Sequence, residues 1–278
     1  MSARGHDSAL GDVRTLPIRP SERHLDAQRE HCEEHVDPET ETVRPRGYPR
    51  VVRFLLRFKL NSAMALAGDR KFSRALVVCC GSGMDAEYLA GLGMEVVGLD
   101  LSRAALLRAQ ERKRRFGADF QVAEGLAEAL PFRDRSFPLV FVTDGLHHLE
   151  DPRPALRELA RVASDTIITV EPADAPLTRL AVALRISGDW EDAGNYVSRF
   201  RRDELRRLFR SLGFAECRAR QDLIYYQPWI FKVYRLFGWG PAYIVFRLLY
   251  AAINRLVGRW GNSLKFAASR TPEPQRAR

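Results

Sequence analysis

Apolar and polar positions follow two alternating periods over the middle hundred residues of the chain. Short apolar runs suit strands buried on both faces of a sheet, and they alternate with stretches whose apolar positions have the spacing of amphipathic helices. The predicted strands are 75–80, 95–99, 120–123, 139–143 and 166–170. Strands that alternate with helices form βαβ units with right-handed crossovers. We therefore predict an α/β fold built on a parallel, doubly wound sheet.

The segments on either side of this region differ from it in pattern. Residues 1–47 lack apolar periodicity and are rich in charged residues, histidine and proline, so we predict a disordered arm. Residues 48–71 have helical spacing with arginines between the apolar positions, which predicts an amphipathic helix. The further predicted segments are the core at 72–172, its completion at 173–222, a helical extension at 223–270 and a tail at 271–278.

Basic residues are concentrated in the last third of the sequence. The net charge is +9, yet residues 199–278 alone hold 17 Lys and Arg against 5 Asp and Glu. Residues 223–266 contain 12 aromatic side chains and no acidic residue. This composition suits an anionic membrane, where rings lie at headgroup level and basic groups meet lipid phosphates. It also suits a cap or a homodimer surface, whereas its aliphatic runs disfavour a third alternative, single-stranded nucleic acid.

The four cysteines, at 32, 79, 80 and 217, indicate the redox environment in which the protein is found. Cys79 and Cys80 are adjacent and cannot form an ordinary disulfide with each other, which predicts reduced thiols in a cytoplasmic protein. If residues 223–266 bind lipid, we expect the protein to be attached peripherally to the inner face of the membrane. No apolar stretch matches a spanning helix or a secretory signal. His31 and His35 would share a helix face, but a solvated polar segment explains them better, and we predict no metal site.

Candidate chemistry begins at the end of the first predicted strand, where the chain reads Gly81-Ser82-Gly83. Two glycines permit a sharp turn and leave backbone N–H groups uncovered at a helix start. Asp100 ends the next strand, where a carboxylate can accept hydrogen bonds from both hydroxyls of a ribose. The two features together predict a site for a nucleoside-bearing cofactor at the carboxyl edge of the sheet.

Four linked segments of the core resemble the class I S-adenosylmethionine-dependent methyltransferases, in the broad type 11 group akin to quinone-biosynthesis methylases. The segments are 75–83, 96–102, 124–137 and 139–152. The resemblance implies a Rossmann-like, seven-stranded, mostly parallel sheet and S-adenosyl-L-methionine as cofactor. The cofactor-binding residues that it implies are Cys80, Gly81, Ser82, Gly83, Asp100, Leu101, Leu126, Ala127 and Thr143.

The resemblance also indicates candidate catalytic residues. His147 and His148 follow the fourth strand, with Asp144 just before them, and imidazole titrates near neutrality, as a general base requires. The alternative is that the histidines only position the loop and the cofactor. Glu171 is a second candidate base. Residues for the acceptor site, or for a lid that packs on its own core, are Trp190, Tyr196, Arg199 and Phe200.

Four positions depart from the family pattern. Val77 replaces a usual acid, Cys79 a glycine, Leu126 an aspartate near adenine, and Pro138 an aspartate in the fourth segment. Each lost charge-assisted hydrogen bond weakens binding by about 1–3 kcal/mol. We expect Asp85 or another acid to compensate for Val77.

The function predicted from these features is methyl transfer from S-adenosylmethionine, by in-line displacement, to a small or lipid-linked hydrophobic acceptor. The acceptor and the methylated atom stay undefined. The alternatives are a scaffold protein that keeps the fold without catalysis and a nucleic-acid methyltransferase. A nicotinamide-dependent oxidoreductase is disfavoured, because Ala86 stands where its third glycine is expected.

Overall fold

A seven-stranded mixed sheet forms the centre of the computed structural model, which describes residues 20–184, 188, 190, 197–226 and 230–270. The strands are β1 (Arg74–Val78), β2 (Glu95–Asp100), β3 (Gln121–Glu124), β4 (Phe137–Thr143), β5 (Ala163–Pro172), β6 (Glu216–Asp222) and β7 (Ser263–Ser269). Their order is β3-β2-β1-β4-β5-β7-β6, and β7 runs antiparallel to its two neighbours. The predicted Rossmann-like, mostly parallel sheet is confirmed.

Helices cover both faces of this sheet. They are α1 (Glu22–Glu30), α2 (Pro38–Val43), α3 (Arg50–Met64), α4 (Met84–Ala90), α5 (Arg103–Phe116), α6 (Pro152–Val162), α7 (Pro176–Ala183), α8 (Arg202–Ser211), α9 (Phe231–Leu236) and α10 (Gly240–Val257). Side chains of α3, α4 and α5 pack on one face of the sheet. Those of α6 and α8 pack on the other. Alternate residues of β1 serve the two cores, and Val77 lies in the α3–α5 layer while Leu76 and Val78 lie in the α6–α8 layer.

The arm predicted to be disordered is helical where the structure describes it, from residue 20. Ser21 and Asp37 cap α1 and α2 through their side chains, and Pro38 occupies the first turn of α2. The segment between the two helices and α2 itself lie against α5, whose Arg108 and Arg112 guanidinium groups donate to the carbonyls of Cys32 at 3.0 Å and Glu41 at 2.8 Å. Residues 1–19, which belong to the same prediction, lie outside the described residues.

The extension predicted to be helical over 223–270 ends in a strand. Within the described part of this segment, α9 and α10 are helical, but β7 inserts between β5 and β6. All seven residues of β7 are buried. Lys265, in its middle, forms a buried ion pair of 2.9 Å with Asp222 of β6. The hydrophobic core can therefore extend to Ser269, because Asp222 neutralises the charge of Lys265 inside it.

Candidate active site

The glycine turn after β1 is a tight loop whose backbone leaves room for a ligand. Gly81 and Gly83 have φ of 50° and 80°, conformations that glycine adopts at no steric cost. A Cβ on Gly83 would lie 2.9 Å from the Phe120 ring, so this position requires glycine. A Cβ on Gly81 would meet nothing within 4 Å. The Gly81 side of the loop is therefore open to a bound molecule.

Asp100 closes this loop from the neighbouring strand. Its Oδ2 accepts from the Gly81 N–H at 2.8 Å, and its Oδ1 accepts from the Ser102 N–H at 2.9 Å. Burial raises the pKa of Asp100, and these backbone hydrogen bonds partly oppose the shift. Each carboxylate oxygen has a second lone pair, so both can still accept from a ligand hydroxyl. We call Gly81, Gly83 and Asp100 the loop end of the site.

Three further predicted cofactor residues lie around the ends of β2 and β3. Leu101 follows β2 directly, Leu126 is half-buried beyond β3, and Ala127 is buried in the core. Leu126 forms an isolated β-bridge with Ala129, which fixes this short loop. The predicted residues Cys80 and Ser82 are buried within the glycine turn.

A second group of polar side chains meets at the ends of β1 and β4. Thr143 hydrogen-bonds to Asp85 Oδ2, whereas Asp85 Oδ1 is buried and has no hydrogen-bond partner among the described residues. Burial raises the pKa of Asp85, and the Thr143 hydroxyl and the Lys59 charge oppose the shift. An unpartnered buried carboxylate oxygen is costly, and it is therefore a signature of a ligand site. The predicted substitute for Val77 thus lies at the edge of the sheet next to Thr143.

Asp144 is held by an ion pair that the sequence did not indicate. Its carboxylate contacts the Lys59 ammonium of α3 and accepts from the Tyr226 hydroxyl at 3.0 Å. Burial would raise the pKa of Asp144, but Lys59 opposes it and holds the pKa at about 2. A carboxylate of such low basicity, already paired, is a poor general base. We call Lys59, Asp85, Asp144 and Tyr226 the network end of the site.

Glu171 anchors the loop that carries the two histidines. It is 1% exposed, and its oxygens accept from the backbone N–H groups of Gly145, Leu146 and His147. The same carboxylate lies 2.7 Å from His147 Nδ1. Glu171 and His147 are thereby committed to structure. His148 is half-buried, and its ring is tilted by 34° against the His147 ring, with centroids 4.1 Å apart. It lies near enough to Asp100 for its charge to lower the pKa of that carboxyl.

Cys79, where the family has glycine, adopts a left-handed conformation with φ of 54°. This conformation is strained for a residue with a Cβ. Its side chain lies beside Gly145, where an added Cβ would be only 2.5 Å from the Cys79 Cβ. Glycine at 145 therefore accommodates the cysteine at 79.

The N-terminal helices lie against the glycine turn, which the sequence did not predict. The Ser82 hydroxyl donates to the Glu41 carbonyl of α2 at 3.1 Å. Arg112, fully buried, donates to the carbonyls of Ser82 and Glu41 at 2.7 and 2.8 Å. The Asp37-Pro38 helix start was the one local signal for this segment. Among the described residues no cluster of three or more His, Cys, Asp or Glu side chains could hold a metal ion.

The structure describes three of the four residues predicted for an acceptor site or a lid. Phe200 is buried in the α6–α8 layer, and Trp190 is exposed. Arg199 donates to the Gly188 carbonyl at 2.9 Å. Tyr196 lies outside the described residues.

Comparison with known proteins identifies the domain that carries this site. Residues 76–166 match the family model described as a methyltransferase domain. This part of the chain is a methyltransferase domain. The chain is 39% identical over 89 residues to a demethylmenaquinone methyltransferase of Renibacterium salmoninarum, covering 32% of this chain and 36% of that protein. It is 37% identical over 92 residues to methyltransferase GfsG of Streptomyces halstedii, covering 32% and 33%.

Solved structures share the fold of the methyltransferase domain over more of the chain. Magnesium protoporphyrin IX methyltransferase of Synechocystis PCC 6803, with bound SAH, superposes with a TM-score of 0.60 at 16% identity and covers 90% of this chain and 100% of its own. The cyclase SpnF superposes with a TM-score of 0.53 at 17% identity, covering 78% and 82%. The chain spans about a third of the length of the curated relatives it matches. The fold is shared more widely than any one activity.

Proposed function

We propose that this chain transfers a methyl group from S-adenosylmethionine to a small or lipid-linked hydrophobic acceptor. The observation that carries the proposal is the loop end, where an open glycine turn faces the Asp100 carboxylate inside a methyltransferase domain. A demethylmenaquinone methyltransferase is among the relatives, which supports a hydrophobic acceptor.

The residues present fit this cofactor at both ends of the site. Asp100 would hold the ribose hydroxyls, and Leu101, Leu126 and Ala127 would line the adenine pocket. Asp85 would take the ammonium of the methionine half, because its Oδ1 is buried without a hydrogen-bond partner. This assignment replaces the acid that the family usually has at Val77.

The cofactor, when bound, supplies an activated methyl group on a sulfonium. What the chain contributes is alignment, because displacement requires the acceptor, the methyl and the sulfur in line. The network end fixes Asp144 through Lys59 and Tyr226, and Glu171 fixes the loop that follows. His148 is the residue we assign to remove a proton from an acceptor hydroxyl, since Asp144 is paired and His147 is held by Glu171.

A scaffold without catalysis is the second candidate. The strained Cys79 at a glycine position favours it, and the fold of the cyclase SpnF accords with it, since the same fold occurs outside the methyltransferases. The methyltransferase and the scaffold would share the fold of the cofactor site, and they would differ only in whether methyl transfer takes place.

Cytoplasmic location with peripheral attachment to the inner membrane face is part of the proposal. The four cysteines are free thiols, as expected in a reducing compartment. No helix among the described residues is both long and apolar enough to span a bilayer.

The experiment measures transfer of a labelled methyl group from S-adenosylmethionine to prenylated quinols and to short-chain analogues. We expect product with a hydrophobic acceptor, and a decrease of about 10²–10⁴-fold in kcat for His148→Gln when the methylated group is a protonated hydroxyl. Asp69→Ala, an exposed acid remote from the site, is the control. Tight cofactor binding with no transfer to any acceptor would establish the scaffold function instead.

A further inference from the structure

Helix α10 has a broad apolar face that no described part of the chain covers. None of its residues is buried. Leu248 and Leu256 are 66% and 72% exposed. The other exposed aliphatic side chains of this helix are Ile244, Val245, Leu249 and Ile253. Isolated exposed leucines are ordinary on protein surfaces, but six large aliphatic side chains on one helix face mark an interaction site.

The opposite face of α10 is fixed to the protein by aromatic packing. Tyr250 packs edge-on against Phe54 and Phe58 of α3, with ring centroids 5.6 and 5.2 Å apart. Tyr243 also packs edge-on against Phe54 at 6.2 Å. The exposed aliphatic face is therefore held outward by a defined interface.

Tryptophan and arginine side chains border this face. Trp239, at the start of α10, is 63% exposed, and Trp260 follows the end of the helix. The Arg259 guanidinium lies 4.2 Å from the Trp260 ring. Tryptophan rings at the ends of an apolar segment, with basic groups beside them, are the arrangement found at the interface of a bilayer.

A basic groove of about 490 Å³ lies at the C-terminal end of α10. Its lining includes Arg202, Arg220, Arg255 and Arg259. Arg220 is paired with Asp222. Arg255 and Arg259 form no ion pair with any described residue, so two cationic groups remain for an anionic partner.

We propose that the α10 face, defined as the exposed aliphatic side chains of α10 with Trp239 and Trp260, lies in the interface of an anionic membrane. Arg255 and Arg259 then contact lipid phosphates. The helix lies parallel to the surface, with its aromatic face on α3 and its aliphatic face among the acyl chains.

Charge and side-chain type favour lipid over other occupants. Residues 223–270 contain no Asp or Glu, so a symmetric dimer through this face would place like charges together without an opposite charge to pair them. Nucleic acid would require exposed rings for stacking. The exposed rings of Trp239 and Trp260 lie only at the two ends of α10. Between them Tyr243 and Tyr250 face α3, and the outward side chains are aliphatic, so no row of rings is available for stacking along the helix.

Helix α10 packs through its opposite, aromatic face on α3, the helix that contributes Lys59 to the candidate active site. Lys59, which binds Asp144, follows Phe58 on α3, and Phe58 contacts α10. A hydrophobic acceptor dissolved in the bilayer would therefore reach the network end along α3. This link rests on the proposed methyl transfer, whereas membrane binding itself does not.

Vesicle co-sedimentation of the full chain, without cofactor or acceptor, tests the proposal separately from catalysis. We expect binding to phosphatidylcholine vesicles that contain about 30% phosphatidylglycerol and weak binding to pure phosphatidylcholine. The pair Leu248→Glu and Leu256→Glu should weaken binding at least about tenfold. The matched control is Leu92→Glu with Leu107→Glu, which adds the same charge on other exposed leucines and should bind as wild type. Circular dichroism melting verifies that every variant is folded.

A second arm tests the arginines. Arg255→Gln with Arg259→Gln should weaken binding to anionic vesicles about tenfold, and Arg103→Gln with Arg133→Gln, on other surfaces, should not. Inorganic phosphate at millimolar concentration should not release the protein from vesicles. Release by phosphate would assign the groove to a free anion and overturn the lipid proposal.

Three further results would overturn it. The first is equal loss of binding in the leucine pair and its control, and the second is no binding to anionic vesicles at low salt. The third is a dimer in sedimentation velocity that Leu248→Glu with Leu256→Glu converts to monomer, which would assign the α10 face to a second copy of the chain.

Discussion

At the loop end of the site, Asp100 and the Gly81 N–H that it binds are 19 residues apart, and the contacts use the backbone. At the network end, Lys59 and Tyr226 are 167 residues apart, and the contacts join side chains. The loop end has Gly81, Gly83 and Asp100 as the resemblance implies, although Cys79 stands at a further glycine position of the same turn. The network end lacks the acid expected at Val77 and has Asp85, Asp144 and Lys59 beside it instead. The loop end is thus built from contacts between residues near in sequence, whereas the network end is built from side chains of distant segments.

Asp100→Ala should have the largest effect. The carboxylate is proposed to accept from two ribose hydroxyls, and charge-assisted hydrogen bonds contribute about 1.5–3 kcal/mol each. We expect affinity for S-adenosylhomocysteine to fall at least about a hundredfold in titration calorimetry, with Asp69→Ala unchanged. Wild-type affinity in folded Asp100→Ala protein would remove the loop end from cofactor binding.

Lys59→Met should destabilise the fold by about 2 kcal/mol at neutral pH, less than a fully buried pair would, because the Asp144 side chain is 39% exposed. The folded-state pKa of Asp144, about 2, lies below the value of about 3.9 in an unfolded chain. The stabilisation is therefore complete above about pH 4 and is lost as the pH falls towards 2. Urea unfolding at neutral pH and near pH 3 measures the free energy of unfolding of both proteins. This free energy should fall less between the two pH values in Lys59→Met than in wild type. An equal fall in the two proteins would contradict the ion pair.

Asp85→Asn should separate binding from stability. The pKa of Asp85 is higher in the folded protein than in the unfolded chain. The protonated carboxyl therefore favours folding, and this contribution to stability is lost as the pH rises through the folded-state pKa. The variant should be more stable than wild type at neutral pH, yet bind S-adenosylhomocysteine about tenfold more weakly, because the charge opposite the ligand's ammonium is gone. Thermal melts without ligand measure the stability, and calorimetry measures the affinity for S-adenosylhomocysteine. A decrease in both stability and affinity would show that Asp85 has a purely structural role.

Cys79→Gly should have the smallest effect. Relief of a left-handed conformation, about 1–2 kcal/mol for a residue with a Cβ, offsets lost packing and the greater freedom of glycine in the unfolded chain. We expect the free energy of unfolding to change by no more than about 0.5 kcal/mol. Cys217→Gly, in the extended strand β6, should cost about 1 kcal/mol, and equal costs at both positions would show that Cys79 is unstrained.

The sequence predicted the parts of the molecule that depend on local pattern. The parallel sheet, the glycine turn and Asp100 follow from periodicity and from residues near in sequence. Lys59 could not be assigned, because its position on an amphipathic helix does not reveal that it is buried against Asp144. Strand β7 was missed for the same reason, since Lys265 is compensated by Asp222, 43 positions away.

The N-terminal segment carries a local sequence signal for a helix, but its charged composition led to the prediction of disorder. Asp37-Pro38 begins a helix, yet the charged composition of 1–47 indicated disorder. The stability of the N-terminal helices comes from α5, through Arg108 and Arg112, and such tertiary support is invisible in composition.

The central claim is that the loop end and the network end hold two halves of one cofactor. Calorimetry of wild type and Asp85→Asn with S-adenosylhomocysteine and with adenosine, which lacks the amino-acid half, tests it most directly. We expect the affinity of Asp85→Asn for S-adenosylhomocysteine to be about tenfold lower than that of wild type, and its affinity for adenosine to be unchanged. Equal losses for both ligands, or no loss for either, would contradict it.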